Sequence, residues 1–438
     1  MSQLKVTPIK NFRTEISVPG DKSISHRALM FAGLADGESK VTGFLPSADC
    51  LGTLKAMQAL GVETEKINPT SMIIRGRNGK LLASGEPLDC GNSGTTMRLM
   101  SGILAGQQFN SSLFGDESLN NRPMKRIMEP LTMMGAKILC EGKGKRPPIV
   151  IEGKPLEGIS YHLPIPSAQL KSCILLAGLQ ANGKTTVEET IPSRDHTERM
   201  LRYMRATIDN DGKNITVHGG QKLNGVNISV PGDFSSAAFW IVAASILPES
   251  ALRIVNVGLN PTRTGLLNVM MRMGAAIREH IEHNDFEPTG SIRISETEEL
   301  QGVEIGGNEI PNIIDEIPII AVAAACAKGQ TIIKDAAELR VKESDRLAAV
   351  ATNLKAFGVP VEETEDGLII EGGHPIKAAA VKSYGDHRIA MASAILALKA
   401  DGPSAIENVD CIDTSYPSFT KQLSEISSGN KKLSFALF

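Results

Sequence analysis

The segment ELRVKESDRL, residues 338–347, gathers charged side chains whose types and spacing suit the binding of an anion. Lys342 and Arg346 are four residues apart, so a helix would place both cations on one face, with Glu343 beside them. Like charges on one face repel each other unless an anion lies between them. The segment therefore predicts a site for a phosphate or a carboxylate.

Basic residues also stand at the start of two apolar segments. In DKSISHR, Lys22, Ser23 and Arg27 lie in the first turns of a predicted helix, where backbone N–H groups already favour anions. In YGDHRIAM, Arg388 holds a similar place. For DKSISHR alone, a capped helix with solvated charges explains the residues equally well.

Small and polar residues open further segments that a ligand could contact. Glycine lets a ligand approach the backbone closely, although a tight turn is the simpler explanation of Gly94 in CGNSGTTMR. Polar residues at a buried helix start need partners, and either a ligand or an ordinary cap supplies them. Ser167 and Gln169 in IPSAQLKS are of this kind. The other candidates are Arg122 in LNNRPMKR, for which an exposed charge in the first turn of a helix is the simpler explanation, and Ser193 and Arg194 in IPSRDHTE, which precede a charged outer helix.

Asp315 stands within the otherwise apolar stretch NEIPNIIDEIPII. A carboxylate in such surroundings either binds a proton more readily than usual or has a strong partner, and both suit a general base. The alternative is an ordinary helix cap.

Residues 178–185, GLQANGKT, match the phosphate-binding pattern G-x-x-x-x-G-K-[ST]. That pattern requires a strand before it and a helix after it. Here an apolar helical run precedes it and the β-like TTVEE follows. The segment is therefore predicted to be a helix-to-strand turn rather than a nucleotide site.

The elements that position these residues repeat along the chain. An alanine-rich apolar run, a turn and a short β-like run recur at residues 26–43, 96–115, 169–189, 235–256, 317–335 and 387–408. A period this long indicates that each unit is one supersecondary block. Apolar residues all round each run predict buried inner helices. Charged second helices follow at residues 49–64, 122–138, 260–277 and 342–361.

The repeat divides the chain into halves. SVPGD occurs at residue 17 and again at residue 229, which is 229 − 17 = 212 residues later. The second copy has Phe234 and Ser235 where the first has Lys22 and Ser23, so the scaffold is retained without the cation. We expect an α/β fold of two pseudo-threefold domains: 17–228, and 1–16 with 229–438. The strand at 3–9 is assigned to the second half.

Composition sets broad limits on the function. Of 438 residues, 42% are hydrophobic and 22% charged, with a net charge of −3, which is typical of a soluble globular protein and argues against a general nucleic-acid or membrane binder. No C-x-x-C pair or metal-ligand spacing occurs among the six cysteines, which predicts buried thiols in a reducing compartment. We expect a cytoplasmic protein without a metal or cofactor.

The motifs together resemble the 5-enolpyruvylshikimate-3-phosphate synthase family over nearly the whole chain. GDKSISHR, GNSGTTMR, NRPM, SAQ, IDE, RVKESDR and GDHR occur in the family's order. The resemblance implies a two-domain inside-out α/β barrel, each domain with three βαβαββ units. It also implies transfer of the enolpyruvyl group of phosphoenolpyruvate to shikimate 3-phosphate in the shikimate pathway, by a monomer.

The resemblance also implies which residues bind each substrate. Shikimate 3-phosphate would contact Lys22, Ser23, Arg27, Ser167, the backbone of Ala168, Gln169, Ser193, Arg194, Asp315 and Lys342. Phosphoenolpyruvate would contact Lys22, Gly94, Arg122, Gln169, Arg346 and Arg388. In catalysis, Asp315 would deprotonate the 5-hydroxyl, while Glu343 or Lys22 would protonate C3 of the enolpyruvyl group.

Two positions bear on inhibition by glyphosate, which is expected to occupy the phosphoenolpyruvate site. Many family members have Lys where this chain has Thr414, and some glyphosate-tolerant members have Ala where it has Gly94.

The rival function is enolpyruvyl transfer to UDP-N-acetylglucosamine on the same fold. The loop FGDESLNNRPMKR lacks the cysteine typical of that transferase. A non-catalytic anion-binding protein is the other alternative.

Overall fold

The structure is a computed structural model that describes residues 2–141 and 145–429. Two short strands come first, β1 (Gln3–Val6) and β2 (Arg13–Ile16). Contacts divide the chain into two units, Gly20–Val230 and Met1–Pro19 with Pro231–Phe438. They are called here the lysine unit, after Lys22, and the aspartate unit, after Asp315.

The lysine unit alternates strands and helices. Its strands are β3 (Glu38–Thr42), β4 (Glu63–Asn68), β5 (Ser71–Arg75), β6 (Leu88–Asp89), β7 (Asn110–Phe114), β8 (Lys137–Glu141), β9 (Arg146–Glu152), β10 (Ser160–His162), β11 (Lys184–Glu188), β12 (Ile208–Asn210), β13 (Asn214–His218) and β14 (Ile228–Ser229). Its helices are α1 (Lys22–Leu34), α2 (Ala48–Ala59), α3 (Gly94–Ala105), α4 (Glu117–Asn120), α5 (Lys125–Met133), α6 (Ala168–Gly178) and α7 (His196–Tyr203).

The aspartate unit follows the same alternation. Its further strands are β15 (Ala251–Gly258), β16 (Ile277–His283), β17 (Thr289–Ile294), β18 (Glu304–Ile305), β19 (Gly329–Ile333), β20 (Val361–Glu363), β21 (Leu368–Gly372), β22 (Ala380–Lys382) and β23 (Ser404–Glu407). Its helices are α8 (Phe234–Ile246), α9 (Gly265–Arg272), α10 (Ile310–Ile313), α11 (Ile317–Cys326), α12 (Arg346–Ala356), α13 (His387–Ala397) and α14 (Phe419–Ser427).

Within each unit the sheets share one strand order. In the lysine unit the strand orders are β14-β3-β5-β4, β6-β7-β9-β8 and β10-β11-β13-β12. The first pair in each sheet is parallel and the next two pairs are antiparallel. The parallel pairs β6–β7 and β10–β11 are joined through a helix, α3 or α6, because parallel strands need a crossover connection.

The aspartate unit uses the same order with one substitution. Its sheets are β2-β15-β17-β16, β18-β19-β21-β20 and β22-β23-β1. Up to residue 429 no hairpin follows β23, and β1 from the start of the chain pairs antiparallel with β23 in its place. Strand β2 likewise pairs with β15, and β14 pairs with β3 in the lysine unit.

The inner helices are buried, as their composition predicts. Every residue of α8 is buried, and so are nearly all residues of α11 and α13. Helices α3 and α6 pack closely at Gly102, where an added Cβ would lie 2.2 Å from the carbonyl oxygen of Cys173. Within the described residues, no helix combines the length and apolarity needed to cross a membrane.

The repeated SVPGD motif caps a helix in each unit. The Asp21 side chain accepts a hydrogen bond from the backbone N–H of Ile24, and Asp233 accepts one from Ser235. Gly20 allows a close approach, because an added Cβ would lie 1.9 Å from the carbonyl oxygen of Gly43. The sequence repeat is therefore a shared helix start.

Two local predictions are decided by the elements. The GLQANGKT segment joins the end of α6 to the start of β11, so the predicted helix-to-strand turn is confirmed. The expectation that Lys342 and Arg346 share a helix face is wrong. Asp345 caps α12, which begins at Arg346, and Lys342 has an extended backbone outside that helix.

The described cysteines are all free, and three of them are buried: Cys50, Cys90 and Cys173. Burial raises the pKa of the Cys50 thiol to about 12, because a thiolate is poorly solvated in the interior. The buried thiols are therefore unreactive packing residues at neutral pH.

Candidate active site

Lys22 is held by a carboxylate at the start of α1. Its Nζ lies 2.5 Å from Oδ2 of Asp49, a residue of α2, and its side chain is partly exposed. Ser23 follows it in the first turn of the helix. Lys22 is therefore the first residue of α1, and its charge is partly balanced by Asp49.

Arg27 joins three helices of the lysine unit and is buried. Its Nε donates to Oγ1 of Thr197 at 2.8 Å on α7, and its Nη2 donates to Oγ of Ser172 at 2.7 Å on α6. Its Nη1 donates to the carbonyl oxygen of Ser23 at 3.1 Å. Arg27 thus fixes α1 against α6 and α7, in addition to any contact with a ligand.

Gly94, Arg122 and Gln169 meet around Arg98, a residue that the sequence analysis did not single out. A Cβ at Gly94 would lie 2.9 Å from Nη1 of Arg98 and 3.4 Å from Nη1 of Arg122. Nη1 of Arg98 donates to Oε1 of Gln169 at 2.5 Å, and Nε2 of Gln169 donates to Oγ1 of Thr95 at 2.9 Å. Two guanidinium groups therefore stand beside the glycine at the start of α3.

Arg122 is buried, although it was also open to interpretation as an exposed charge. Its Nη2 donates to Oδ1 of Asn92 at 2.8 Å and to Oγ of Ser118 at 3.3 Å. These bonds hold the guanidinium next to the GNSG turn.

Helix α6 brings together the predicted residues of the SAQ segment. Ser167 caps the helix, its hydroxyl accepting from the N–H of Leu170 at 3.3 Å, and Ala168 is the first helical residue. In the segment between β11 and α7, Ser193 is buried and Arg194 is partly exposed. Buried Lys171 connects α6 to the Ser193 segment through a hydrogen bond to the Ser193 carbonyl.

Arg346 is the centre of the charged cluster in the aspartate unit. Its Nη2 donates to Glu343 at 2.6 Å, its Nε to Asp386 at 2.7 Å and its Nη1 to Asp315 at 3.2 Å. Burial alone would lower the pKa of Arg346, but the surrounding carboxylates, Asp386 foremost, raise it above its ordinary value. One buried guanidinium therefore orients three carboxylates.

Asp315 also contacts Arg388. Nη1 of Arg388 donates to the Asp315 carbonyl oxygen at 2.9 Å, and its Nη2 lies 3.8 Å from the Asp315 carboxylate. Asp386 caps α13 by accepting from the N–H of Arg388 at 2.9 Å. Burial opposes ionisation of Asp386, yet Arg346 holds the pKa of this carboxyl below its usual range.

Lys342 lies in the same unit, between a short 3₁₀ helix (Ala337–Val341) and α12. Its surroundings lower its pKa from the ordinary value, chiefly because the ammonium is poorly solvated, while the Asp315 carboxylate opposes that shift. A lysine whose charge is poorly solvated gains from an arriving anion.

The hydroxyl of Thr414 has two neighbours in the structure. It donates to the carbonyl oxygen of Cys411 at 2.7 Å, and its Oγ1 lies 3.3 Å from Nδ1 of His387. His387 immediately precedes Arg388 at the start of α13. Position 414 is therefore adjacent to the Arg388 region.

At the start of the helix that follows the second SVPGD copy, Ser235 is bonded to a buried carboxylate of the protein itself. The Ser235 hydroxyl donates to Oε1 of the fully buried Glu316, and Nη2 of Arg263 donates to Oγ of Ser235 at 2.6 Å. Nη1 of Arg388 lies 3.6 Å from the same Glu316 oxygen. Glu316 and Arg263 were missed because only their distant partners distinguish them from ordinary charges.

The two units differ in the chemistry that their side chains offer. The lysine unit presents cations and helix N-termini, which bind phosphate and carboxylate groups. The aspartate unit presents carboxylates, which can transfer protons, and the arginines that hold them, which can bind an anion. Among the described residues, no cluster of three His, Cys, Asp or Glu side chains could hold a metal ion.

Comparisons with known proteins agree in naming one activity. A family model described as "EPSP synthase (3-phosphoshikimate 1-carboxyvinyltransferase)" matches residues 6–423. A 3-phosphoshikimate 1-carboxyvinyltransferase from Coxiella burnetii is 49% identical over 424 residues, covering 96% of each chain. One from Desulforamulus reducens is 49% identical over 435 residues, covering 97% of this chain and 99% of the relative.

Solved structures give the same result. An EPSP synthase from Acinetobacter baumannii superposes with a TM-score of 0.87 and 44% sequence identity, covering 98% of both chains.

Proposed function

Because this chain belongs to the EPSP synthase family, we propose that it transfers the enolpyruvyl group of phosphoenolpyruvate to the 5-hydroxyl of shikimate 3-phosphate and releases phosphate. The chain is thus a transferase of the shikimate pathway, which leads to aromatic amino acids. Family membership supports this acceptor over UDP-N-acetylglucosamine.

Family membership also confirms the predicted resemblance and fold class. The matched structures are those of EPSP synthase, which has the two-domain inside-out α/β barrel. The division at 17–228 and at 1–16 with 229–438 forms part of the proposal, as do the monomeric state, the cytoplasmic location and catalysis without a cofactor.

The Arg346 cluster carries the proposed chemistry. Asp315 and Glu343 are both bonded to one buried guanidinium, and Arg388 is bonded to the Asp315 backbone. Arginine is suited to carboxylates and phosphates, because its planar donors match their oxygen atoms. An acid, a base and two anion-binding cations thus occur within one cluster.

The substrate contacts are proposed residue by residue. For phosphoenolpyruvate they are Lys22, Gly94, Arg122, Gln169, Arg346 and Arg388. For shikimate 3-phosphate they are Lys22, Ser23, Arg27, Ser167, Ala168, Gln169, Ser193, Arg194, Asp315 and Lys342.

The proposed reaction is an addition followed by an elimination. Asp315 takes the proton of the 5-hydroxyl as the hydroxyl oxygen bonds to C2 of phosphoenolpyruvate. Glu343 or Lys22 gives a proton to C3, which becomes a methyl group. Loss of that proton and of phosphate restores the double bond. In the structure Glu343 is paired with Arg346, and Lys22 is paired with Asp49. The charge of the bound substrates is therefore needed to weaken these ion pairs before either residue acts as the acid.

Phosphate release tests the proposal directly. Purified protein is given shikimate 3-phosphate and phosphoenolpyruvate together, with each alone as a control, and no metal or nucleotide is added. We expect release only with both substrates. No release by folded protein rejects the function, and replacing the acceptor by UDP-N-acetylglucosamine then tests the rival transferase.

A further inference from the structure

Lys171 is a fully buried cation in the first turns of α6, and the proposed reaction does not use it. Its side chain is 1% exposed, and its Nζ lies 2.8 Å from Glu189 and 2.7 Å from Glu198. Lysine is almost never fully buried unless it is paired. Besides these two carboxylates, Lys171 makes a third contact, and this contact shows which segment of the chain it holds in place.

That third contact is the carbonyl oxygen of Ser193, 3.3 Å from Nζ. Glu189, bonded to the same ammonium, accepts from the N–H of Ser193 at 3.2 Å and from its hydroxyl. The carbonyl, the amide and the hydroxyl of Ser193 are therefore all fixed by Lys171 or its partner. Arg194 is the next residue along the chain.

The charges explain why the cation matters. Burial would lower the pKa of Lys171, but Glu198 and Glu189 raise it above its ordinary value, so the ammonium stays charged. Two buried carboxylates, those of Glu189 and Glu198, are paired with this ammonium. Removing one partner of a buried ion pair leaves uncompensated charge and is strongly destabilising.

We propose that Lys171 is a positioning residue for the phosphate group of shikimate 3-phosphate. It acts through the Ser193–Arg194 segment, which it joins to α6, the helix that also presents Ser167 and Gln169. The inference rests on the proposed function, because that function assigns the phosphate to Ser193 and Arg194. The ammonium of Lys171 is already taken up by Glu189, Glu198 and the Ser193 carbonyl, so it acts through that segment and not by contact with the substrate.

Lys171→Met tests the proposal. We expect the KM for shikimate 3-phosphate to rise about tenfold or more, while kcat and the KM for phosphoenolpyruvate change less than about threefold. Hydrogen exchange in the 189–195 peptide of the ligand-free protein should become faster. Lys184→Met, which removes an exposed lysine from the same unit, is the matched control.

A second variant covers the case in which Lys171→Met fails to fold. Glu189→Gln keeps one ammonium against one carboxylate, and its amide oxygen accepts hydrogen bonds from Ser193 more weakly than the carboxylate does. We expect a selective rise of about threefold or more in the KM for shikimate 3-phosphate, with faster exchange in the same peptide.

The outcomes separate the inference from the function beneath it. An active wild type whose Lys171 and Glu189 variants lose stability without a selective change in the KM for shikimate 3-phosphate overturns the positioning role alone. A folded wild type that releases no phosphate with both substrates overturns the proposed function, and the inference with it.

Discussion

Nη1 of Arg346 donates a hydrogen bond to Oδ1 of Asp315 across 3.2 Å. The proposed base therefore has one oxygen committed to a buried guanidinium and its other oxygen 3.8 Å from Arg388. This arrangement fixes the direction of the carboxylate before substrate arrives, and preorganised groups need little rearrangement during the reaction.

Asp315→Ala should reduce kcat by more than about 100-fold, because no other group is proposed to take the 5-hydroxyl proton. Steady-state phosphate release under saturating substrates measures the effect. Glu362→Gln, which changes an exposed acid of the same unit, should leave kcat unchanged. Near-normal turnover by the Asp315 variant would remove this residue from the mechanism.

Gly94→Ala should raise the KM for phosphoenolpyruvate about tenfold, equal to about 1.4 kcal/mol of binding. The added Cβ would lie 2.9 Å from Nη1 of Arg98, whose bond to Gln169 limits its movement. Glyphosate should compete with phosphoenolpyruvate, and the variant should weaken its inhibition further. Gly85→Ala is the control, since its Cβ would meet nothing within 4 Å. Inhibition independent of phosphoenolpyruvate concentration would contradict this placement.

Thr414→Lys should lower the KM for phosphoenolpyruvate about threefold and strengthen inhibition by glyphosate. The new ammonium would stand close to His387, next to Arg388, and would attract an anion there. Thr414→Met loses the same hydroxyl without adding charge and separates the two effects. A gain that survives high salt would argue against an electrostatic cause.

Glu198→Gln should gain stability relative to the wild type as the pH rises from about 4 to 8. Burial raises the pKa of Glu198 above its ordinary value, because a carboxylate is poorly solvated there, although the Lys171 ammonium opposes that shift. A raised carboxyl pKa favours the folded state fully below the unfolded pKa, and this contribution is lost as the pH rises through the folded pKa. Melting temperatures across this range measure the difference. A constant difference between the two proteins would refute it.

The repeat made most of the fold predictable. Six apolar runs at a long period predicted the inner helices, and α1, α3, α6, α8, α11 and α13 lie at or overlap those positions. Such periodicity is local information, because each run shows its burial in its own composition. The start of α12 was misplaced, since a charge cluster alone does not show that Asp345 takes the cap.

The site was less accessible to sequence reasoning where partners are distant along the chain. Arg98 looked like an ordinary helical arginine, and only its bond to Gln169 shows otherwise. The partners of Lys171 lie at positions 189 and 198, and nothing in the sequence indicates that they meet it. The sequence was enough to identify the residues at motif starts, whereas the residues that support them could be recognised only from three-dimensional contacts.

Two strand pairings between distant parts of the sequence, β2–β15 and β3–β14, have a consequence for the newly synthesised chain. Strand β2 pairs with β15, Arg13 lying opposite Ala251, so its partner emerges from the ribosome 251 − 13 = 238 residues later. At ~5–20 residues per second that is a wait of roughly 10–50 s. Strand β3 likewise has an open edge until Ile228 and Ser229 arrive. Unpaired edges are prone to wrong pairing, so nascent chains ending before residue 228 should need chaperones most.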